Sequence, residues 1–256
     1  MRGASKDIIG MIHVAALPTA PFGSSDINAT LALALKDAKA LEAGGIKKAI
    51  VENFFDTPYA NDPDLETVIG MAYVLGYLKE KTALDLGVSV QATSGTEEMS
   101  IACICGLNFI RAESFVEMRM NSAGIMRNMC AQLLRKRRQL RSNVKVLADI
   151  NVKHSYPVIE QSLEALVHEA IEAGADGIIL TGMATGKSPS IEDAKQMRAL
   201  VGKTKLYIGS GVNEGNIKDL LEFADGVIVG SSIKENGDVN KPVDPSRVKK
   251  LMAALT

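Results

Sequence analysis

Short apolar runs, three to seven residues long and rich in β-branched side chains, recur from one end of the chain to the other. They are Ile8–Val14, Lys48–Glu52, Gly87–Gln91, Phe109–Ala112, Val144–Ile150, Gly177–Leu180, Leu206–Ile208 and Gly226–Val229. Such runs read as eight strands of a parallel sheet buried on both faces. Between them the hydrophobic period changes. Leu163, Leu166, Val167, Ala170 and Ile171 mark one helical face, and Ala34, Ala38 and Leu41 a sparser one. Asn213 is placed to cap a helix carrying Ile217, Leu220 and Leu221. Asp244-Pro245 reads as a cap followed by a first-turn proline, opening a helix over Arg247–Leu255.

A local repeat supports strand–helix alternation. Glu42-Ala43-Gly44-Gly45-Ile46, Glu172-Ala173-Gly174-Ala175-Asp176-Gly177-Ile178 and Phe223-Ala224-Asp225-Gly226-Val227 each close a helix and enter a strand. Glycine there suits a left-handed helix terminus. Repeated units with short connections require right-handed crossovers, and eight of them can close into a barrel. The alternative is a doubly wound open sheet. Its glycine fingerprint is missing after the first strand, where Ala15-Ala16-Leu17-Pro18 stands. The expected fold is α/β, a (β/α)₈ TIM barrel spanning residues 1–256 as one domain, a length typical of that fold.

Composition narrows the function classes. Apolar residues make up 46%, charged residues 23%, and the net charge is −1, which gives no global attraction to nucleic acid. The cluster Arg135-Lys136-Arg137-Arg138 with Arg141 reads as a helix C-terminus complementing the helix dipole. No apolar run approaches the roughly 20 residues of a transmembrane helix. The opening segment Met1–Asp7 lacks a signal-peptide core, so a cytoplasmic location is expected. Cys103, Cys105 and Cys130 lack the spacing of a four-ligand zinc site, and read as reduced, buried side chains. Neither a metal nor a cofactor is expected.

Chemistry in a barrel of this kind collects where strands end, with phosphate often held after the seventh and eighth. The seventh run ends in Gly209-Ser210-Gly211 and the eighth in Gly230-Ser231-Ser232. Glycines let a backbone approach an anion closely, so Gly209, Ser210, Gly211, Gly230 and Ser231 are the candidate phosphate residues. In the fifth strand Asp149, Asn151 and Lys153 share parity and should converge on the mouth, with His154 turned away. Arg111 and Glu113 do the same in the fourth. His13, Glu52 and Gln91 end the first three, and Thr181 follows the sixth. Asp149 and Glu52 are the acid/base candidates. Lys153 is read as a stabiliser of an enolate or a Schiff-base amine, and His13 and Arg111 as positioning groups. Glu113, Asn151, Gln91 and Thr181 complete the candidate substrate site.

The segment Gly182-Met183-Ala184-Thr185-Gly186-Lys187-Ser188 imitates a phosphate-binding P-loop. Only three residues separate its glycines where that motif has four, and Pro189 disfavours the helix that should follow. It reads instead as a loop, Thr181–Ser188, over the barrel mouth.

The chain resembles the BtpA family, which takes its name from a protein needed for photosystem I biogenesis. The likeness rests on Ile8-Ile9-Gly10-Met11-Ile12-His13 with Leu17-Pro18, on Gly44–Phe54, and on Ala148-Asp149-Ile150-Asn151-Val152-Lys153-His154. It continues in Ala175–Thr181 with Thr185-Gly186, in Gly209-Ser210-Gly211-Val212, and in Asp225–Ser231 with Pro242-Val243-Asp244-Pro245. The resemblance implies a TIM barrel of the ribulose-phosphate-binding type. The middle departs from the family pattern. Gln91-Ala92-Thr93-Ser94-Gly95 replaces a leucine-arginine-asparagine-like stretch, Glu113 stands where asparagine is commoner, and Asn121-Ser122-Ala123-Gly124 replaces a more acidic turn.

Together these readings give an enzyme acting on a small phosphorylated, sugar-like metabolite by isomerisation, epimerisation or aldol-type chemistry, with a homo-oligomer left open. The alternative is a non-catalytic assembly or stability factor. A third option gives Asp149 and Glu52 to a divalent cation.

Overall fold

A computed structural model describes residues 6–23, 26–181 and 189–255. The first half of the chain runs β1 (Asp7–His13), α1 (Ile27–Gly44), β2 (Lys48–Glu52), α2 (Leu65–Lys81), β3 (Asp85–Ser89), α3 (Gly95–Cys105) and β4 (Phe109–Ala112). An excursion follows, with β5 (Arg119–Asn121) and β6 (Gly124–Met126), before α4 (Cys130–Gln139) and β7 (Lys145–Ile150). After β8 (Tyr156–Pro157) come α5 (Leu163–Glu172), β9 (Gly177–Leu180), α6 (Ile191–Val201) and β10 (Lys205–Ile208). The chain closes with α7 (Ile217–Phe223), β11 (Gly226–Val229) and α8 (Pro245–Ala253).

Strands β1, β2, β3, β4, β7, β9, β10 and β11 pair in that order into a closed barrel, and all their pairings are parallel. All eight runs expected to be strands are the barrel strands. The third starts and ends two residues earlier than expected, which leaves Gln91 beyond its end. Inside the barrel Ile9, Met11, Ile50, Phe109, Leu147, Ile179, Tyr207 and Ile228 pack as a closed layer. Gly87 completes it by omission, because a Cβ there would lie 2.3 Å from the Phe109 ring. A larger apolar shell lies between the strands and the helices and includes the expected stripe residues Leu166, Val167, Ala170, Ala34, Ala38 and Leu41.

The N-terminal ends of the strands are tied by charge. Asp176 accepts from the Val146 amide (3.0 Å) and from Arg137 Nη1 (2.7 Å). Asp225, at the equivalent place in the repeat, accepts from the Leu206 amide (2.9 Å) and from Arg198 Nη1 (2.8 Å). Arg137 belongs to the basic cluster, which does fill the last turn of α4. Gly45 and Gly174 adopt the left-handed conformation expected of the repeat (φ +96° and +93°). The third copy differs: Gly226 lies within β11, where a Cβ would stand 2.5 Å from the Asp7 carbonyl oxygen. Asp244 caps α8 as expected. Asn213 does not cap α7, which begins after Asn216; its Oδ1 accepts from the Gly215 amide (2.8 Å) in the preceding turn.

The excursion was not legible as strands. β5 pairs antiparallel with both β6 and β8 in a small sheet at the barrel mouth. The P-loop-like segment 182–188 lies outside the described residues, as does Thr185-Gly186.

Candidate active site

Parity inside the barrel builds the site. Residues two apart along a strand point the same way, so the inward positions Ile9, Ile50, Phe109, Leu147, Ile179, Tyr207 and Ile228 are continued upward by Glu52, Arg111, Asp149, Thr181, Gly209 and Gly230, and β1 continues through Met11 to His13. The apolar layer thus ends in a layer of polar side chains and glycines. Above it opens a cavity of about 760 Å³ lined by His13, Glu52, Gln91, Arg111, Glu113, Lys153, Thr181 and the two Gly-Ser turns.

Two groups organise the floor. Arg111 grips Asp149 with both nitrogens, Nε donating to Oδ2 (2.7 Å) and Nη2 to Oδ1 (3.2 Å). Beside them, Gln91 Nε2 donates to Glu113 Oε1 (2.9 Å) and also to Glu52 Oε1. Two buried carboxyls therefore converge on one amide nitrogen. The backbone of Gln91 is pinned by Asn53, whose Oδ1 accepts from its amide (2.9 Å), while Asn53 Nδ2 donates to Asp56 (3.1 Å).

Burial controls the protonation of these groups. It pushes Glu113 up to about 8, against the opposing pull of Arg111 and with the Glu52 charge adding to the rise. Glu52 is raised for the same first reason. His13 is driven the other way, down to about 3, by burial and then by the charges of Lys234 and Arg111, so its imidazole is neutral. The ring stacks on Phe54 (centroids 4.2 Å apart), and its Nε2 stands 3.7 Å from Glu52. Lys153 is lowered by burial and by Arg111. Among the described residues, no hydrogen-bond partner meets His13 Nδ1, while a side-chain hydrogen bond from Thr181 helps to favour the Asp149 carboxylate.

Two expectations for the fifth barrel strand need correction. Asp149 is fully buried, and Arg111 donates to both its oxygens beneath the cavity. The shared parity fails at Asn151, which adopts a left-handed backbone (φ +55°) that ends the extended strand. Its Oδ1 instead accepts from Arg119 Nη1 (3.1 Å), and it is absent from the cavity lining. That twist also returns both Lys153 and His154 to the cavity wall, so His154 is not turned away.

The opposite rim is backbone. Gly211 takes a positive φ (+67°), and its carbonyl accepts from Asn213 Nδ2 (3.2 Å) and Asn216 Nδ2 (3.0 Å). Gly209 spends its amide on the Leu180 carbonyl (2.8 Å), and a Cβ there would lie 2.6 Å from Ile179. It shapes the turn rather than offering a donor. Ser231 starts a short 3₁₀ turn, and Ser232 Oγ donates to the Val212 carbonyl (2.6 Å), which joins the two turns.

Sequence reading missed several wall residues. Phe54 and Tyr59 follow β2, Met126 sits on β6, and Asn121 and Ser122 form the tip of the small sheet. Glu98 lies behind the floor on α3, fully buried, with Oε1 accepting from the Val90 amide (2.6 Å) and its charge strongly disfavoured. Only a helical glutamate at a buried position could have signalled it. No group of three or more His, Cys, Asp or Glu among the described residues is arranged to hold a metal ion.

The sequence profile of the BtpA family matches residues 4–256. The chain belongs to the BtpA family. It is 37% identical to the Photosystem I biogenesis protein BtpA of Synechocystis sp. PCC 6803, over 97% of this chain and 87% of that one. A mitochondrial protein of Caenorhabditis elegans is 34% identical over 96% of this chain and 91% of its own length. Solved structures share the fold at low identity. The tryptophan synthase alpha chain of Legionella pneumophila has a TM-score of 0.61 at 13% identity, covering 98% of this chain and 92% of that one. N-(5'-phosphoribosyl)anthranilate isomerase of Pyrococcus furiosus has a TM-score of 0.55 at 12% identity, covering 97% and 98%. This family member is thus a (β/α)₈ TIM barrel. No helix among its described residues is long and apolar enough to cross a membrane.

Proposed function

We propose that this BtpA-family barrel is an enzyme that moves a proton on a small phosphorylated, sugar-like metabolite. The observation that carries the reading is the pair Glu52 and Glu113 on one Gln91 amide, in the same cavity as the two Gly-Ser turns. Two adjacent buried carboxyls resist double ionisation, so burial and their mutual repulsion favour a proton held between the pair. The ionised member can take a proton from carbon next to a carbonyl, and the protonated member can deliver one to oxygen or to the neighbouring carbon. Arg111, held rigid by Asp149, and Lys153 supply positive charge for the enolate formed between these steps. The backbone at Ser210, Gly211, Gly230 and Ser231 would take the phosphate, and Thr181 and neutral His13 would meet substrate oxygens. The reading calls on no metal or cofactor. The solved enzymes of similar fold include an isomerase acting on a phosphoribosyl compound, by its name. The free thiols of Cys103, Cys105 and Cys130 support a reducing, cytoplasmic setting.

The test is solvent exchange. Incubated in D₂O with a panel of pentose and hexose phosphates, the protein should wash deuterium into one C–H position of its substrate, read by NMR, and Glu113→Gln should abolish this. No exchange with a compound shown to bind in the cavity would overturn the reading. The second reading, an assembly factor like the Synechocystis relative by its name, has one observation in its favour: an exposed apolar face beside the mouth.

A further inference from the structure

The small sheet at the mouth presents that face. In register, Met120 stands opposite Ile125 on one side and Tyr156 on the other, so the three side chains form one row on one side of the sheet. Met118 and Val158 extend it, two residues further along each strand and joined by a Val158 N–H to Met118 carbonyl bond of 3.0 Å. The row is exposed, with Met120 at 50%, Ile125 at 53% and Tyr156 at 75%, and Ile159 beside it at 72%. The sheet does not owe this to looseness. Arg119, on the other side, is buried and donates to Ser155 Oγ (2.7 Å), the Ser155 carbonyl (3.0 Å) and Asn151 (3.1 Å), which fixes the sheet to the barrel. A groove of about 1100 Å³ opens beside Met118, Met120, Tyr156 and Ile159, and its other walls are largely polar, with Lys153, His154 and Glu160 among them.

We infer that this face packs against the same face of a second copy of the chain across a twofold axis. Three features favour a copy over another occupant. From their fractional exposures, the six apolar side chains leave on the order of 700 Å² open, above a monomer's usual largest patch and close to the roughly 800 Å² per partner of a stable interface. The central row carries no charge, so it meets its own image without like-charge repulsion. Tyr156 protrudes beside a groove, and a twofold interface needs such a knob and hole on one surface. Because Asn121 and Ser122 at the tip of this sheet line the cavity, the dimer would also brace the mouth.

Sedimentation equilibrium at micromolar protein tests this. The wild-type chain should be a dimer. Met120→Arg with Ile125→Arg, both at exposed positions, should raise the dissociation constant at least about 100-fold while leaving the thermal midpoint of the monomer's barrel intact. Leu65, Ile69 and Tyr73 form a separate exposed stripe on α2, and Ile69→Arg there should leave the dimer unchanged. A monomeric wild type, a double variant that stays dimeric, or dissociation by Ile69→Arg would each overturn the inference. A monomeric wild type that floats with phosphatidylglycerol vesicles would assign the face to a membrane instead.

Discussion

The two ends of the barrel treat ionisable groups in opposite ways. At the N-terminal end, Asp176 and Asp225 sit part-exposed, each clamped by an arginine and a backbone amide, and the Asp225 carboxyl is held below its usual range by the Leu206 amide and Arg198, which outweigh its burial. At the C-terminal end, Glu52, Glu98 and Glu113 are buried with raised affinity for protons, His13 has lost its own, and several buried polar atoms have no partner among the described residues. One end pairs its charges and the other buries groups whose charged forms are disfavoured. Groups placed against their own stability are what a proton-transfer site requires, and the clamped end offsets part of that cost.

The largest expected effect falls on the buried Arg111–Asp149 ion pair at the upper end. Replacing Arg111 with Leu leaves Asp149 buried and uncompensated, and should cost about 3–5 kcal/mol in urea unfolding. A loss under about 1 kcal/mol would mean that the pair anchors nothing.

Glu113→Gln sharpens the contrast, since it should lose activity without losing stability. The amide keeps the shape, so turnover should fall by about 10²–10⁴-fold while the protein melts no lower than wild type at pH 8. The pH dependence follows from linkage. Glu113 binds its proton up to about pH 8 in the folded state, whereas an unperturbed glutamate releases it near 4.5. Across that window the native state holds the extra proton, so stability falls as pH rises, and Glu113→Gln should flatten this limb. His13 acts on the acid side. Its folded value of about 3 lies below the ordinary 6.5, so stability is lost as pH falls through that interval, and His13→Gln should flatten the acid limb.

Gly211→Val should cost about 1–3 kcal/mol, because φ of +67° strains a β-branched residue, and should weaken a phosphorylated ligand in calorimetry more than an unphosphorylated one. Asp225→Asn, at the clamped end, should cost no more than about 1 kcal/mol and leave activity per folded molecule unchanged, since the ion pair is partly exposed.

The barrel was legible because every strand is buried on both faces, which leaves short apolar runs that nothing else explains. Much of the polar layer was legible for a related reason: His13, Glu52, Arg111 and Asp149 are the polar residues that end otherwise apolar runs. The pairing among them was not. Sequence parity brought Asp149 to the right face but could not show that Arg111 pairs with it, since that contact crosses between neighbouring strands. Extending parity to Asn151 failed because asparagine tolerates the left-handed region, and one such residue rotates all that follows. The small sheet escaped because strands of two or three residues carry too little alternation to register.

The most direct test of the central claim is a crystal structure of the protein soaked with the sugar phosphate that exchanges deuterium. The phosphate should lie within hydrogen-bond distance of backbone amides in Ser210–Gly211 and Gly230–Ser231, with the carbon skeleton against Glu52 and Glu113. A phosphate held elsewhere, such as in the groove beside Tyr156, or a skeleton turned away from both glutamates, would contradict the account.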